Sequence, residues 1–436
     1  MVKLLKSVSV FQLPAYLLFF LMLFVPTAYQ PLKAVLIVVV LATILMEAFL
    51  TKRFAVHSTV LALTLAMSLT GLAFVNLGLL NRNPGALRVM AVYVFWPLLY
   101  LLFVAGSARV AILKGLMQVL AAATIAISIY TLLYILHSAN VLPGFLYYEL
   151  DQGQSIGFYD GHIRYALYSI SSLLFLVPFL LSALVLWPRD IEPPVSRRWL
   201  WIAFLISVPP VFLTERKILW LLVLATPFMA LALRSILPVE NKRATRKIAR
   251  RTVLGIVGIG VVLLLVLRFA LNFDFAVISN LIGDALNLSS GTSEDVVVRK
   301  GQYVAMMSEW ANSPLLGTGL GGVASYVRND EQPWTYELSY VALLYHTGII
   351  GVLIYAAGII WTYWNSFLVI RTDRMLGLYM APILVGTTCF LIGNATNPYL
   401  EKYDYLWVLF LPIAIINLWM LQRRRLPREA VVHVTA

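Results

Sequence analysis

Charge is scarce in this sequence: 12% of its 436 residues are charged, while 61% are hydrophobic. Soluble domains carry about 25% charged and about 45–50% apolar residues, so water is excluded as the solvent for most of the chain. Cysteine is nearly absent. The one present, Cys389, lies in an apolar run, which excludes an intramolecular disulfide framework. Acidic residues are fewer than basic ones, 20 against 33, giving a formal charge of +13. A nucleic-acid partner does not follow, because the basic residues sit in short segments between apolar stretches, where membrane topology uses them. There is no GxxxxGK[ST] segment, so nucleotide-driven transport is not encoded, and no GxSxG nucleophile elbow. Internal repeats and low-complexity tracts are missing as well.

What remains is a succession of apolar runs with a mean hydropathy of +0.85. About 20 apolar residues in a helix cross the ~30 Å of bilayer hydrocarbon. The pattern predicts an all-α polytopic membrane protein of about twelve spans: 11–28, 32–49, 57–79, 89–106, 112–136, 164–187, 199–214, 217–238, 253–272, 338–369, 377–395 and 403–422. Lys3 and Lys6 ahead of the first run imitate a signal peptide. With no clean small-x-small cleavage site, and more spans directly after it, the run reads as an uncleaved first helix. His346-Thr347-Gly348, inside the long run 338–369, predicts a tilt or break.

With a cytoplasmic N-terminus, Lys52/Arg53, Arg109/Lys114, Arg189/Arg197/Arg198, the 242–251 cluster, Arg371/Arg374 and Arg423 to Arg425 all fall inside, about two thirds of the basic residues. That bias is the one the positive-inside rule predicts, and an even span count returns the C-terminus to the same side. The chain thus reads as one integral membrane domain, 1–436, in a bacterial inner (cytoplasmic) membrane. Two long segments face the periplasm, 137–163 and 273–337, and most acidic residues lie in outward segments. In the larger one, DVVVRKGQYVAMMSEWA has helical apolar spacing and NSPLLGTGLGG is a turn-rich loop.

Several outward ionisable residues stand where topology does not need them. Arg216, at a tight turn in LTERKILWLL, is a functional candidate by its place at the membrane boundary. It reads equally as an arginine snorkelling from a helix end, and Lys217 beside it more so. Arg299 begins the amphipathic outer helix, where a solvated surface charge is the plain alternative. Glu337, in PWTYELSYVALLYHTGIIG, re-enters the membrane among Trp334, Tyr336 and Tyr340. Partial desolvation there suits a carboxylate to proton transfer, and a helix-start acid near a favourable dipole is the alternative. GFYDGHIRYALY places Asp160, His162 and Arg164 just before a span, and Tyr147, Tyr148, Phe158 and Tyr159 offer faces for sugar rings or an interfacial belt. No HxxxH or CxxC spacing supports a metal, and no DxD-like pair occupies an early outer loop.

The stretch RKGQYVAMMSEWANSPLLGTGLGGVASYV followed by YELSYVALLYHTGIIGVLIYAAG resembles the O-antigen ligase/polymerase superfamily. Arg299, the segment Pro314 to Gly321 and the element Thr347-Gly348-Ile349-Ile350-Gly351 match that family's shared region in order and approximate spacing. The LTERKILW turn is similar to the family's arginine-bearing turn at Arg216, without its serine-rich form. The resemblance implies a GT-C-like membrane enzyme that needs no cofactor, metal or nucleotide sugar. Its substrates would be an undecaprenyl-diphosphate-linked glycan and an acceptor glycan or lipid. Membrane lipids and polysaccharide assembly proteins would be its other partners. Arg216 and Arg299 would hold the diphosphate and Glu337 would act as base, with Arg164, His162, Asp160, Lys217 and Tyr336 contacting substrate. Ligases of this family typically carry a His-Asn pair eleven residues before the glycine that is Gly348 here. Glu337-Leu338 stands in that place, which favours a polymerase of O-antigen, capsule or exopolysaccharide units over a ligase. A non-enzymatic transporter is the remaining alternative, although transporters place polar residues in broken helices at the midplane. Reporter fusions after residues 245 and 300 should give opposite signals, cytoplasmic and periplasmic; identical signals would reject this topology.

Overall fold

In a computed structural model the described residues are 12–52, 54–150, 155–159, 162–188, 192–214, 216–234, 250–251, 253–255, 257–258, 261, 294–327 and 330–432. They form a predominantly helical bundle: α1 (Leu13–Phe24), α2 (Gln30–Thr51), α3 (Ser58–Leu80), α4 (Ala86–Gly106), α5 (Val110–Ser138), α6 (Leu173–Leu186), α7 (Arg197–Leu213), α8 (Lys217–Arg234), α9 (Glu294–Trp310), α10 (Ser339–Thr372), α11 (Arg374–Asn394) and α12 (Trp407–Val432). Among the described residues seven helices are long and apolar enough to cross a membrane, namely α2 to α5, Tyr168–Leu186, α10 and α11. The apolar helices Leu13–Phe24, Ile218–Arg234 and Trp407–Arg423 are shorter. The chain is therefore a multi-pass helical membrane protein. The predicted span 253–272 falls largely outside the described residues, as does 273–293 of the large loop.

The helices begin where capping chemistry allows. Ser196 accepts the Trp199 N–H ahead of α7, and Asp373 accepts the Leu376 N–H ahead of α11. Hydroxyls that lie inside apolar helices bond back one turn, as Thr124, Ser128 and Thr131 do in α5. This leaves few polar groups to satisfy elsewhere. Every residue of α6 is buried, and α6 packs against α11, α8 and α7. A helix apolar all round belongs at the centre of a bundle, so α6 is its axis.

Connections meet at two opposite ends of the bundle. At one end the α1–α2 turn reaches the α11–α12 loop, the α7–α8 turn reaches that same loop, and the α3–α4 turn reaches the segment after α9; we call this the loop face. At the other, Arg109 pairs with Glu47, Lys114 with Glu192 at 3.6 Å, and the Trp187 indole donates to Leu378 O at 2.7 Å.

The expected all-α architecture holds for the bundle and carries one local addition. Segment 137–163 is not only loop, and the span expected from 164 does not begin there. Ser155–Tyr159 and His162–Ala166 pair as an antiparallel two-stranded ribbon, with Tyr159 opposite His162. Alternating Ile, Phe, Tyr and Ile side chains suit a pleated ribbon. The Asp-Gly dipeptide in the sequence between the strands is a strong hairpin signal.

The break expected at His346-Thr347-Gly348 is present: Gly348 lies at φ 59°, ψ −171° inside α10. A break exposes backbone groups that hydrocarbon cannot satisfy, and the loop after α9 supplies the partners. Thr318 and Gly319 N–H groups donate to the carbonyls of Tyr345 and His346 at 3.0 and 2.9 Å. In return Pro314 and Leu315 carbonyls accept from Ile349 and Ile350 N–H at 3.0 and 3.1 Å. The same loop is clamped to α3: Leu320 N–H donates to Phe74 O, and the Asn83 amide donates to the carbonyls of Thr318 and Gly319. Gly317, Gly319 and Gly321 all have positive φ. A Cβ on Gly319 would lie 2.3 Å from Gly78 N, and one on Gly348 would lie 2.3 Å from Leu315 O. Gly348→Ala and Gly319→Ala should each destabilise the protein by roughly 2–4 kcal/mol, read as a lowered detergent-solution melting temperature. Gly255→Ala, whose Cβ would meet nothing within 4 Å, should leave it unchanged.

Candidate functional site

The loop face carries three of the ionisable residues that sequence reasoning singled out, Arg216, Arg299 and Glu337. Arg299 lies on α9, one turn from its described start, and its Nε donates to Glu337 Oε2 at 2.6 Å. The carboxylate is nearly inaccessible, at 6% exposure, while the guanidinium keeps 32%. Two residues expected in separate roles, diphosphate binder and base, thus form one ion pair. The Gln302 side chain, one turn along α9 and fully buried, accepts the Glu337 N–H at 3.0 Å. That bond fixes where Glu337 enters α10, and with it the direction in which Arg299 points. Charge-assisted pairing of this kind is about twice as strong as a neutral bond.

Glu309 completes this subsite from the far end of α9. Its carboxylate accepts from Ser325 N–H at 2.7 Å and from the Tyr345 hydroxyl at 3.0 Å. Tyr336, expected to contact substrate, is 1% exposed, and its hydroxyl accepts the Ala324 N–H at 2.6 Å. It holds the loop after α9 and is not available to a ligand. Burial pushes its phenol up to about 12.

Arg216 comes to the same face from the α7–α8 turn. Its guanidinium donates to the Tyr399 hydroxyl at 2.8 Å and to Leu167 O at 3.3 Å, which leaves it half-buried. It is therefore held by two other segments and does not trail into lipid as a snorkelling side chain would. Tyr399 belongs to the α11–α12 loop, 395–406, a segment the sequence reading passed over. That loop is pinned by Asp404, whose carboxylate meets Lys33 Nζ at 2.8 Å with both side chains buried. Thr27 N–H and the Gln30 amide add bonds to the same carboxylate at 3.1 and 3.4 Å. Lys33 also donates to Val25 O at 2.8 Å, and the Tyr403 ring stacks on Trp96 with centroids 4.0 Å apart.

The remaining expected site residues gain less definition. His162 and Arg164 lie on β2, opposite Tyr159 and Gly157. Their side chains, the Lys217 side chain and the whole of Asp160 lie outside the described residues. Among the described residues no three His, Cys, Asp or Glu side chains gather as metal ligands.

No protein-family model matches this chain, and no curated protein matches it. The arrangement itself must carry the functional argument. It offers two guanidinium groups from separate segments at one end of the bundle, Arg299 held by the buried Glu337 and Arg216 by the half-buried Tyr399, each partly open. Arginine stays charged at any relevant pH and presents a planar fork that matches phosphate oxygens. Removing one partner of a buried ion pair strands a charge and costs about 3–5 kcal/mol, whereas a hydrophobic replacement of both is often tolerated. Asp404→Asn should accordingly lower the unfolding midpoint well below that of the double variant Lys33→Met/Asp404→Leu, measured by denaturation in one detergent.

Proposed function

We propose that this chain joins glycans at the outer face of a bacterial inner membrane, polymerising undecaprenyl-diphosphate-linked repeat units of an O-antigen, capsule or exopolysaccharide. The observation that carries this reading is the convergence of Arg216 and Arg299 on the loop face. A glycan leaving a lipid diphosphate deposits negative charge on phosphate oxygens. Stabilising such charge with fixed donors in a poorly hydrated site is usually the largest catalytic contribution. Two arginines do this without a metal. The acceptor hydroxyl attacks the anomeric carbon from the side opposite the diphosphate, inverting that centre, and its proton passes to a carboxylate.

The broken helix α10 is the feature a transporter would use, with freed carbonyls coordinating cargo. Here the carbonyls of Tyr345 and His346 are occupied by Thr318 and Gly319 N–H, which supports surface chemistry over transport. Glu337 stands where the resembling ligases carry histidine, and its tie to Arg299 supports the polymerase reading. In that reading the periplasm faces the loops and the cytoplasm faces the Arg109–Glu47 end.

Arg216→Lys and Arg299→Lys keep the charge and lose the fork. Each should reduce polymer formation by on the order of 10²-fold at equal protein level, measured in membranes supplied with the lipid-linked donor. Full activity in both variants would reject the arginine clamp.

A further inference from the structure

The α11–α12 loop carries a carboxylate with no established role. Glu401 is half-buried and sits two residues from Tyr399, the hydroxyl that holds Arg216. The phenol of Tyr336, the neighbour of Glu337, is raised chiefly by burial, and the charges of Glu309 and Glu401 add to this. Glu401 thus adjoins the Arg216 network through Tyr399, on the same loop that Asp404 pins. Among the described residues its carboxylate makes no hydrogen bond or ion pair. Every other acidic side chain described above at this face is engaged: Glu337 with Arg299, Glu309 with Ser325 and Tyr345, Asp404 with Lys33.

We propose that Glu401, rather than Glu337, is the catalytic base that takes the proton of the acceptor hydroxyl. This inference rests on the glycan-transfer reading of the site. As the acceptor oxygen bonds to the anomeric carbon, its O–H bond breaks and the proton goes to the Glu401 carboxylate. The bond from the anomeric carbon to the diphosphate oxygen breaks in the same displacement, and its electron pair leaves with the polyprenyl diphosphate, held by Arg216 and Arg299. Glu337 is then a positioning residue, since its oxygen is committed to aiming Arg299.

Two properties suit Glu401 to the task. The first is rigidity. Its loop is anchored on both sides, by Leu400 N–H on the Asn394 side chain at 2.9 Å and by the buried Lys33–Asp404 pair. A group held by its surroundings reaches reactive geometry without reorganising. The second is basicity. Burial pushes the Glu401 carboxyl up to about 8, and the Lys402 ammonium offsets this in part. Lys402 lies with its Nζ 4.8 Å from the centre of the Tyr168 ring, and the Tyr336 phenol lies within reach of the Glu401 charge. A base is most effective when its pKa lies near the working pH.

The test uses the full chain in vesicles, with lipid-linked oligosaccharide extracted from cells that lack this chain and so accumulate the donor. Wild-type turnover should rise with pH through about 8 and then level. Glu401→Gln should lose ~10²–10⁴-fold and flatten that rise. Glu401→Asp should retain part of the activity with a displaced rise. Glu337→Gln should lose activity while its residual turnover keeps the wild-type pH profile. An infrared pH titration of the unliganded protein should show a carboxyl band converting near pH 8 that Glu401→Gln lacks. This reading needs no substrate, and Glu401→Asp decides the matter should the Gln variant not fold. Turnover of Glu401→Gln within about threefold of wild type, far short of the base contribution, would overturn the assignment and leave the function standing. Absence of transfer by wild type would instead overturn the glycan-transfer reading and the base assignment with it.

Discussion

Hydrocarbon tolerates no unpaired backbone group, and the loop-face architecture answers that one constraint. Breaking α10 at Gly348 frees two carbonyls and two N–H groups within an apolar helix. The glycine-bearing loop after α9 has the complementary set, and four backbone bonds close the gap. Each segment is the other's solvent. Because a Cβ at Gly317, Gly319, Gly321 or Gly348 would overlap backbone atoms, the fit is set by glycine alone. The seam also fixes both ends of the chemistry-bearing stretch: α9 with Arg299 leads into the loop, and Glu337 lies just before α10.

A second seam runs between distant parts of the chain. Lys33 and Asp404 are separated by 371 residues and meet in full burial. Such a pair adds little net stability, because desolvating both charges offsets most of their attraction. Its consequence is geometric. Asp404 accepts from Lys33, Thr27 and Gln30 at once, which ties the α11–α12 loop, with Tyr399 and Glu401, to the α1–α2 turn and the start of α2. Arg88, stacked 5.5 Å from the Trp334 ring centre, ties the start of α4 to the loop between α9 and α10 in the same manner.

Much of the fold was readable because span length and apolar composition are local properties. The runs around α2, α3, α5, α10 and α11 lie within a few residues of the helices. The break at Gly348 was readable too, since a His-Thr-Gly interruption in an apolar run has a local cost. The ribbon at 155–166 was missed although its Asp-Gly dipeptide is a local signal. Interest in His162 and Arg164 as chemistry hid their place in a strand. At the site, Arg216, Arg299 and Glu337 stood out because charge at a membrane boundary is rare. Tyr336 was misjudged because an aromatic beside a charge reads the same whether its hydroxyl faces a ligand or, as here, a backbone N–H.

The sequence by itself determined that this is a helical membrane protein, where its helix breaks, and which few side chains carry charge beside the apolar runs. Hydropathy and glycine chemistry act over a handful of residues and need no partner to be read. Tertiary structure alone decided that Arg299 is spent partly on Glu337, that Arg216 rests on Tyr399, and that among the described residues the Glu401 carboxylate has no hydrogen bond or ion pair. Those facts depend on which helix ends share a face of the bundle, and packing around α6 sets that at separations no local pattern records.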